Sequence, residues 1–168
     1  MGLQLHTSKK MLSLKNDVMI RDESNEVRFT IKRSFGFFNP RWRILEGEEE
    51  RVSVQRKLFA FRPTWVVAGE LGDFKIERKV VAVNEHYQIK GGPMEGWSLD
   101  GNFMETNYKM SDGNRDLAVF KKGIFATEND IAIEIDTAEE EKKRVLLALS
   151  FLVPVMEHAA TDFTSDDL

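Results

Sequence analysis

The residues best suited to chemistry in this chain are a recurring set of cations. Lys9-Lys10, Arg33-Ser34, Arg56-Lys57, Arg78-Lys79 and Lys121-Lys122 stand at one place in five similar stretches. Cationic groups brought to one level of a fold can hold phosphate, and a guanidinium does so with two parallel hydrogen bonds. The same groups can instead pair with acidic turns or lay their stems along the fold's surface, where single ion pairs carry little information. The candidate ligand-binding set is therefore Lys9, Lys10, Arg33, Arg56, Lys57, Arg78, Lys79, Lys121 and Lys122, with lipid phosphate as the ligand.

Other chemistries find less support. His6, His86 and His158 are far apart and match no metal-ligand spacing. There is no G-x-S-x-G and no P-loop, and Gly91-Gly92-Pro93 reads as a loop. The acidic runs Glu46 to Glu50 and Asp112 to Asp116 lack the ligand spacing of a calcium loop and read as solvated turns. The aromatics Phe35, Phe37, Phe38, Trp42, Phe59, Phe61 and Trp65 could stack on bases, but their strand spacing suits a core, with any exposed remainder free to dip into a membrane interface. No catalytic residue, metal site or cofactor is nominated. An enzyme would need a surface cleft with paired carboxylates that the sequence does not announce.

Bulk properties narrow the classes further. The chain has 168 residues, 42% hydrophobic and 31% charged, enough for one domain with a core. It has no cysteine, which fits a reducing cytoplasm, and its N-terminus lacks the apolar run of a secretory signal. Residues 1–136 carry 21 basic and 21 acidic side chains, whereas residues 137–168 carry 3 and 7, so the net charge of −4 resides at the C-terminal end. No domain-scale basic field exists, and nucleic acid is not expected as a partner.

The elements that position the cations follow from a repeat. IKRSFGFFNPRWRI, residues 31–44, and VQRKLFAFRPTWVV, residues 54–67, align at an offset of 23, placing Arg33 on Arg56, Pro40 on Pro63 and Trp42 on Trp65. A further offset of 22 adds Ile76, Arg78, Tyr87 and Ile89, and a step back of 24 adds Lys9 and Val18. A fifth, weaker copy starts at Val119, with Lys121 in the Arg33 column. Each copy is an alternating apolar run, a basic doublet, a turn and a second alternating run, which is a hairpin of half-buried strands. Expected turns include Lys15-Asn16-Asp17, Asn39-Pro40, Arg62-Pro63 and Asn84-Glu85, with a further hairpin turning at Asp100-Gly101-Asn102. About ten to twelve strands result, and a twisted sheet of that size closes or splits.

The C-terminal part breaks the pattern. Thr137 with Glu139, Glu140 and Glu141 suits a helix start. RVLLALSFLVPVM, residues 144–156, is apolar on every side and too short for a bilayer, so it must be buried all round. The expected fold is mainly β: a closed, roughly twelve-stranded antiparallel barrel of repeated hairpins enclosing a C-terminal hydrophobic helix. That helix is expected at about 138–156, with a kink or end at Pro154. Residues 1–160 would form the single domain, and 161–168 a flexible acidic tail.

The phrases SKKMLSLKNDVMIRDESNEVRFTIKR, LFAFRPTW, WSLDGNF, VFKKGIF and LLALSFLVPV, in this order, resemble the LURP-one-related family, including its bacterial members, within the Tubby C-terminal-like fold. The resemblance implies a twelve-stranded barrel around a central helix and no established enzymatic activity. It also implies distant kinship with the tubby proteins, which bind phosphoinositides, and the calcium-linked phospholipid scramblases. The resulting expectation is a non-enzymatic, cytoplasmic module, peripheral at membranes rather than transmembrane, that binds anionic phospholipid head groups. The alternative is a protein-interaction scaffold with no lipid ligand, using the acidic tail as its contact arm.

Overall fold

The computed structural model describes residues 2–7, 17–34, 39–102, 107–122, 131–137 and 139–166, and the side chains of all these except 122 and 158–166. Alternating sequence becomes twelve strands: β1 Gly2–Thr7, β2 Val18–Asp22, β3 Val27–Ser34, β4 Arg41–Glu46, β5 Glu49–Lys57 and β6 Thr64–Gly69, then β7 Phe74–Val81, β8 Asn84–Lys90, β9 Ser98–Asn102, β10 Asn107–Ser111, β11 Asp116–Lys122 and β12 Ile131–Asp136. Each pairs antiparallel with its sequence neighbour, and β1 pairs with β12 to close the barrel. Closure leaves no sheet edge unpaired. Register shifts at Ile20/Arg21, Ile44/Leu45 and Met110/Ser111 supply local bends of the kind that curl a sheet.

One face of each strand is apolar and points inward: Ile31, Val54, Ile76, Ile89, Leu99, Met110, Phe120 and Ile133 are all fully buried. The outward face carries residues such as Lys32, Gln55, Lys75, Glu77 and Lys109. This is the inverse of a membrane-spanning barrel, whose lipid-facing side is apolar.

Helix α1, Glu141–Asp166, fills the interior. Every residue from Arg144 to Glu157 is buried. Leu146, Leu147, Leu149, Phe151, Leu152 and Val153 together contribute roughly 9–18 kcal/mol of apolar burial before ordering entropy is subtracted. Its polar Ser150 is satisfied within the helix, Oγ donating to the Leu146 carbonyl at 2.8 Å. No helix among the described residues is long and apolar enough to cross a membrane.

Odd strands run toward one end of the barrel, here the mouth, and even strands return to the base. The helix enters at the base, where Lys142 lies 3.7 Å from Glu46 and 3.4 Å from Glu70, and reaches the mouth at Glu157.

Several local expectations are corrected. The helix starts at Glu141, not near 138, and continues through Pro154 to Asp166, beyond the expected end near 156. Burial on all sides outweighs the one hydrogen bond that proline removes. Asn84-Glu85 belongs to β8, and the turn sits at Ala82-Val83. Asp100-Gly101-Asn102 lies within β9, because Gly101 is a packing glycine. A Cβ there would sit 2.3 Å from the Tyr108 ring and 2.5 Å from the Asn107 carbonyl oxygen. Lys15-Asn16 and the aromatics Phe35, Phe37 and Phe38 lie outside the described residues.

Candidate functional site

The repeated arginines point into the barrel. Arg33, Arg56 and Arg78 share strand faces with the buried Ile31, Val54 and Ile76, and each stands across the ladder from an inward aromatic: Trp42, Trp65 and Tyr87. The guanidinium of Arg33 lies 5.7 Å from the Trp42 ring centre, and those of Arg56 and Arg78 lie 5.5 and 5.9 Å from that of Trp65. Such stacking suits a cation whose edges still need donors satisfied. The turn prolines also acquire a role. Arg56 N donates to the Pro40 carbonyl at 3.1 Å and Arg78 N to the Pro63 carbonyl at 2.9 Å, so each turn holds the arginine strand of the next copy.

Two carboxylates missed in the sequence complete this mouth cluster. Glu157, on α1, accepts from Arg56 Nη1 at 2.5 Å and from Trp65 Nε1 at 2.8 Å, tying the helix to the wall. Glu85 is buried on β8 and accepts from the hydroxyls of Tyr108 at 2.7 Å and Tyr87 at 3.3 Å. Burial, reinforced by the Glu85 carboxylate, pushes both phenols far above their ordinary pKa. Arg78 Nε, also buried, has no hydrogen-bond partner among the described residues. Glu85 had a signal in the alternation Glu85-Tyr87-Ile89. Glu157 had none beyond its place at the end of the apolar run.

The other candidates separate. Lys57 and Lys79 are exposed on the outer wall near the mouth, two strands apart, which is about 10 Å across the sheet. Lys121 is exposed on β11, four strands from β7 and about 19 Å farther round. It is not in the arginine column: Ala118 and Phe120 face inward there, so Lys121 faces out. Lys122 occupies the last position of β11, and Lys9 and Lys10 lie outside the described residues.

The two ends differ in charge pairing. Near the base, Arg51 contacts Glu46, Glu49 and Glu70, Lys142 contacts Glu46 and Glu70, and Arg115 and Arg144 contact Glu139. Glu46, Glu49 and Glu50 of the acidic run are thus taken into structural pairs, with Arg41 on Glu50. Asp112 spends its carboxylate on the N–H groups of Asn114 and Arg115, which lower its pKa. Among the described residues no three metal-ligating side chains converge. By contrast, Lys57, Arg62, Lys75 and Lys79 have no carboxylate within 4.0 Å among the described residues. Lys57, Arg62 and Lys75 border the β5–β6 connection, where a concavity of about 380 Å³ is also lined by Phe59, Phe61 and Glu77.

A second concavity, about 660 Å³, lies over β7–β10 and includes Lys79, His86, Asp100 and Lys109. His86 Nδ1 contacts Asp100 Oδ1, and Ser98 Oγ donates to Asp100 Oδ2 at 3.1 Å. The serine sits on the carboxylate rather than on the imidazole, so this trio does not place a base on a nucleophile.

Comparison with known proteins bears on this arrangement. No curated protein and no solved structure matches the chain. The family model described as LURP-one-related matches residues 3–151, which takes in all twelve strands and the first part of the helix. The chain belongs to the LURP-one-related family.

Proposed function

We propose that this chain is a non-enzymatic module that docks on anionic phospholipid head groups, phosphoinositides among them, as a peripheral protein at a cytoplasmic membrane surface. The observation that carries the reading is the set of exposed cations Lys57, Arg62 and Lys79 near the mouth, which have no carboxylate partner among the described residues while the base is laced with ion pairs. Near an anionic bilayer each such charge is worth about 1 kcal/mol, so three give roughly 3 kcal/mol, a weak and salt-sensitive attraction. The inward arginines are committed to tryptophan faces and to Glu157, so the phosphate-binding role passes to the outward lysines. The reading extends to kinship with the tubby and scramblase folds and to a bacterial-type place within the family.

The test is co-sedimentation with phosphatidylcholine vesicles that contain or lack phosphatidylserine or phosphatidylinositol phosphate, across a salt series. Binding should require the anionic lipid and fall with salt. Lys57→Glu with Lys79→Glu should abolish it, and Lys142→Glu at the base should not. Binding indifferent to the first pair, or to lipid charge, would remove the proposal.

A further inference from the structure

Among the described residues, the mouth end also carries the most exposed large apolar side chains. Phe59 and Phe61, in the connection between β5 and β6, are 95% and 101% exposed. Val81, at the tip of the next hairpin, is 60% exposed, and Val80 and Val83 beside it are also exposed. Both tips lie at the mouth, joined through β6 and β7, so one plane can touch both.

Phenylalanines that extend fully into solvent stabilise nothing in their own fold, and clustered exposure of this kind marks a contact surface. The shape narrows the partner. The rings border the concavity of the β5–β6 connection yet are fully exposed, so their outer faces suit a phase that yields around them. The flanking charge narrows it further: Lys57, Arg62 and Lys79 have no acidic partner among the described residues. Aromatic tips ringed by cations complement the interface of an anionic bilayer, where rings reach the acyl boundary and ammonium groups stay among phosphates.

We propose that the β5–β6 and β7–β8 tips insert together into the interfacial layer of an anionic membrane, with Phe59, Phe61 and Val81 as the anchors. This rests on the head-group reading above and adds to it a depth and an orientation. The barrel stands on its mouth, the ion-paired base faces water, and the exit of α1 lies on the membrane side.

The chain has no cysteine, so single positions can be labelled cleanly. Phe61→Cys, Val81→Cys and, at the base, Glu48→Cys would each carry an environment-sensitive fluorophore. With phosphatidylcholine–phosphatidylserine vesicles, labels at 61 and 81 should shift to the blue and be quenched by nitroxide-bearing lipid, and the label at 48 should do neither. Phe59→Ser with Phe61→Ser should weaken partitioning by about tenfold or more at a salt concentration that already suppresses the electrostatic part. Vesicle binding with silent labels at 61 and 81 would overturn insertion while leaving head-group docking intact. Absence of any vesicle binding overturns both. Lipid-free self-association abolished by the double serine variant would make the tips a dimer contact and overturn insertion.

Discussion

Raising the pH should leave the chain's two tyrosines untitrated until the barrel itself unfolds. Burial is the first cause, and the Glu85 carboxylate, which accepts both hydroxyls, acts in the same direction while Arg78 opposes it. An unfolded phenol loses its proton near pH 10, whereas the folded ones keep theirs. Above that pH the native state holds two more protons than the unfolded state, so stability falls as pH rises. The slope is about 1.4 kcal/mol per pH unit for each tyrosine, about 2.7 for the pair. Two units beyond pH 10 remove roughly 5 kcal/mol, as much as the whole stability of many domains. Below that range the contribution is complete and flat. Tyrosinate absorbance and far-ultraviolet dichroism, followed along one alkaline titration, should change together and late. The Tyr87→Phe, Tyr108→Phe chain, unfolded by urea at several alkaline pH values, should lose this slope. A tyrosinate transition centred near pH 10, with native dichroism intact, would refute the buried placement of Glu85 and its two hydroxyl donors.

Two further outcomes follow from the interior. Glu157→Ala strands the fully buried Trp65 N–H and removes the partner of Arg56. The Arg56 side chain is 32% exposed, which reduces the ionic share, so the loss should be about 2–4 kcal/mol by urea denaturation, and Glu157→Gln should cost about 1. A loss below about 0.5 kcal/mol for Glu157→Ala would show that the helix is not tied at the mouth. Gly101→Ala forces a methyl onto the Tyr108 ring and the Asn107 carbonyl and should cost about 3 kcal/mol or more, read as a lower thermal midpoint. A neutral result would contradict the packing of β9 on β10.

The fold was largely legible because its determinants are local. Alternation fixes strands, the offset of 23 fixes hairpins of equal length, and a segment apolar on every side has to be enclosed. The site was only partly legible. The equal height of Arg33, Arg56 and Arg78 followed from the repeat, and their direction could have followed too, since each lies two residues beyond a core aliphatic. In the fifth copy that cue fails: Leu117, Ala118, Val119 and Phe120 are consecutive apolar residues, and only pairing with β12 decides which face inward. Glu157 lies 101 residues from Arg56, and Glu85 lies 23 from Tyr108, so neither looks different from a solvated acid in the chain. Asp100-Gly101-Asn102 has turn composition, and only the ring of Tyr108 reveals why the glycine is needed. The mouth cations that have no carboxylate partner among the described residues emerge only by subtraction, once the acids near the base are seen to be paired.

The central claim is that the barrel meets anionic lipid with its mouth. Amide hydrogen exchange of the unmodified chain, with and without vesicles containing phosphatidylserine, addresses it most directly. Slowed exchange confined to residues 57–64 and 79–84, with the base turns around Glu48, Leu71 and Gly113 unchanged, is the predicted footprint. Slowing at the base turns, or an identical pattern with and without vesicles, would contradict the account.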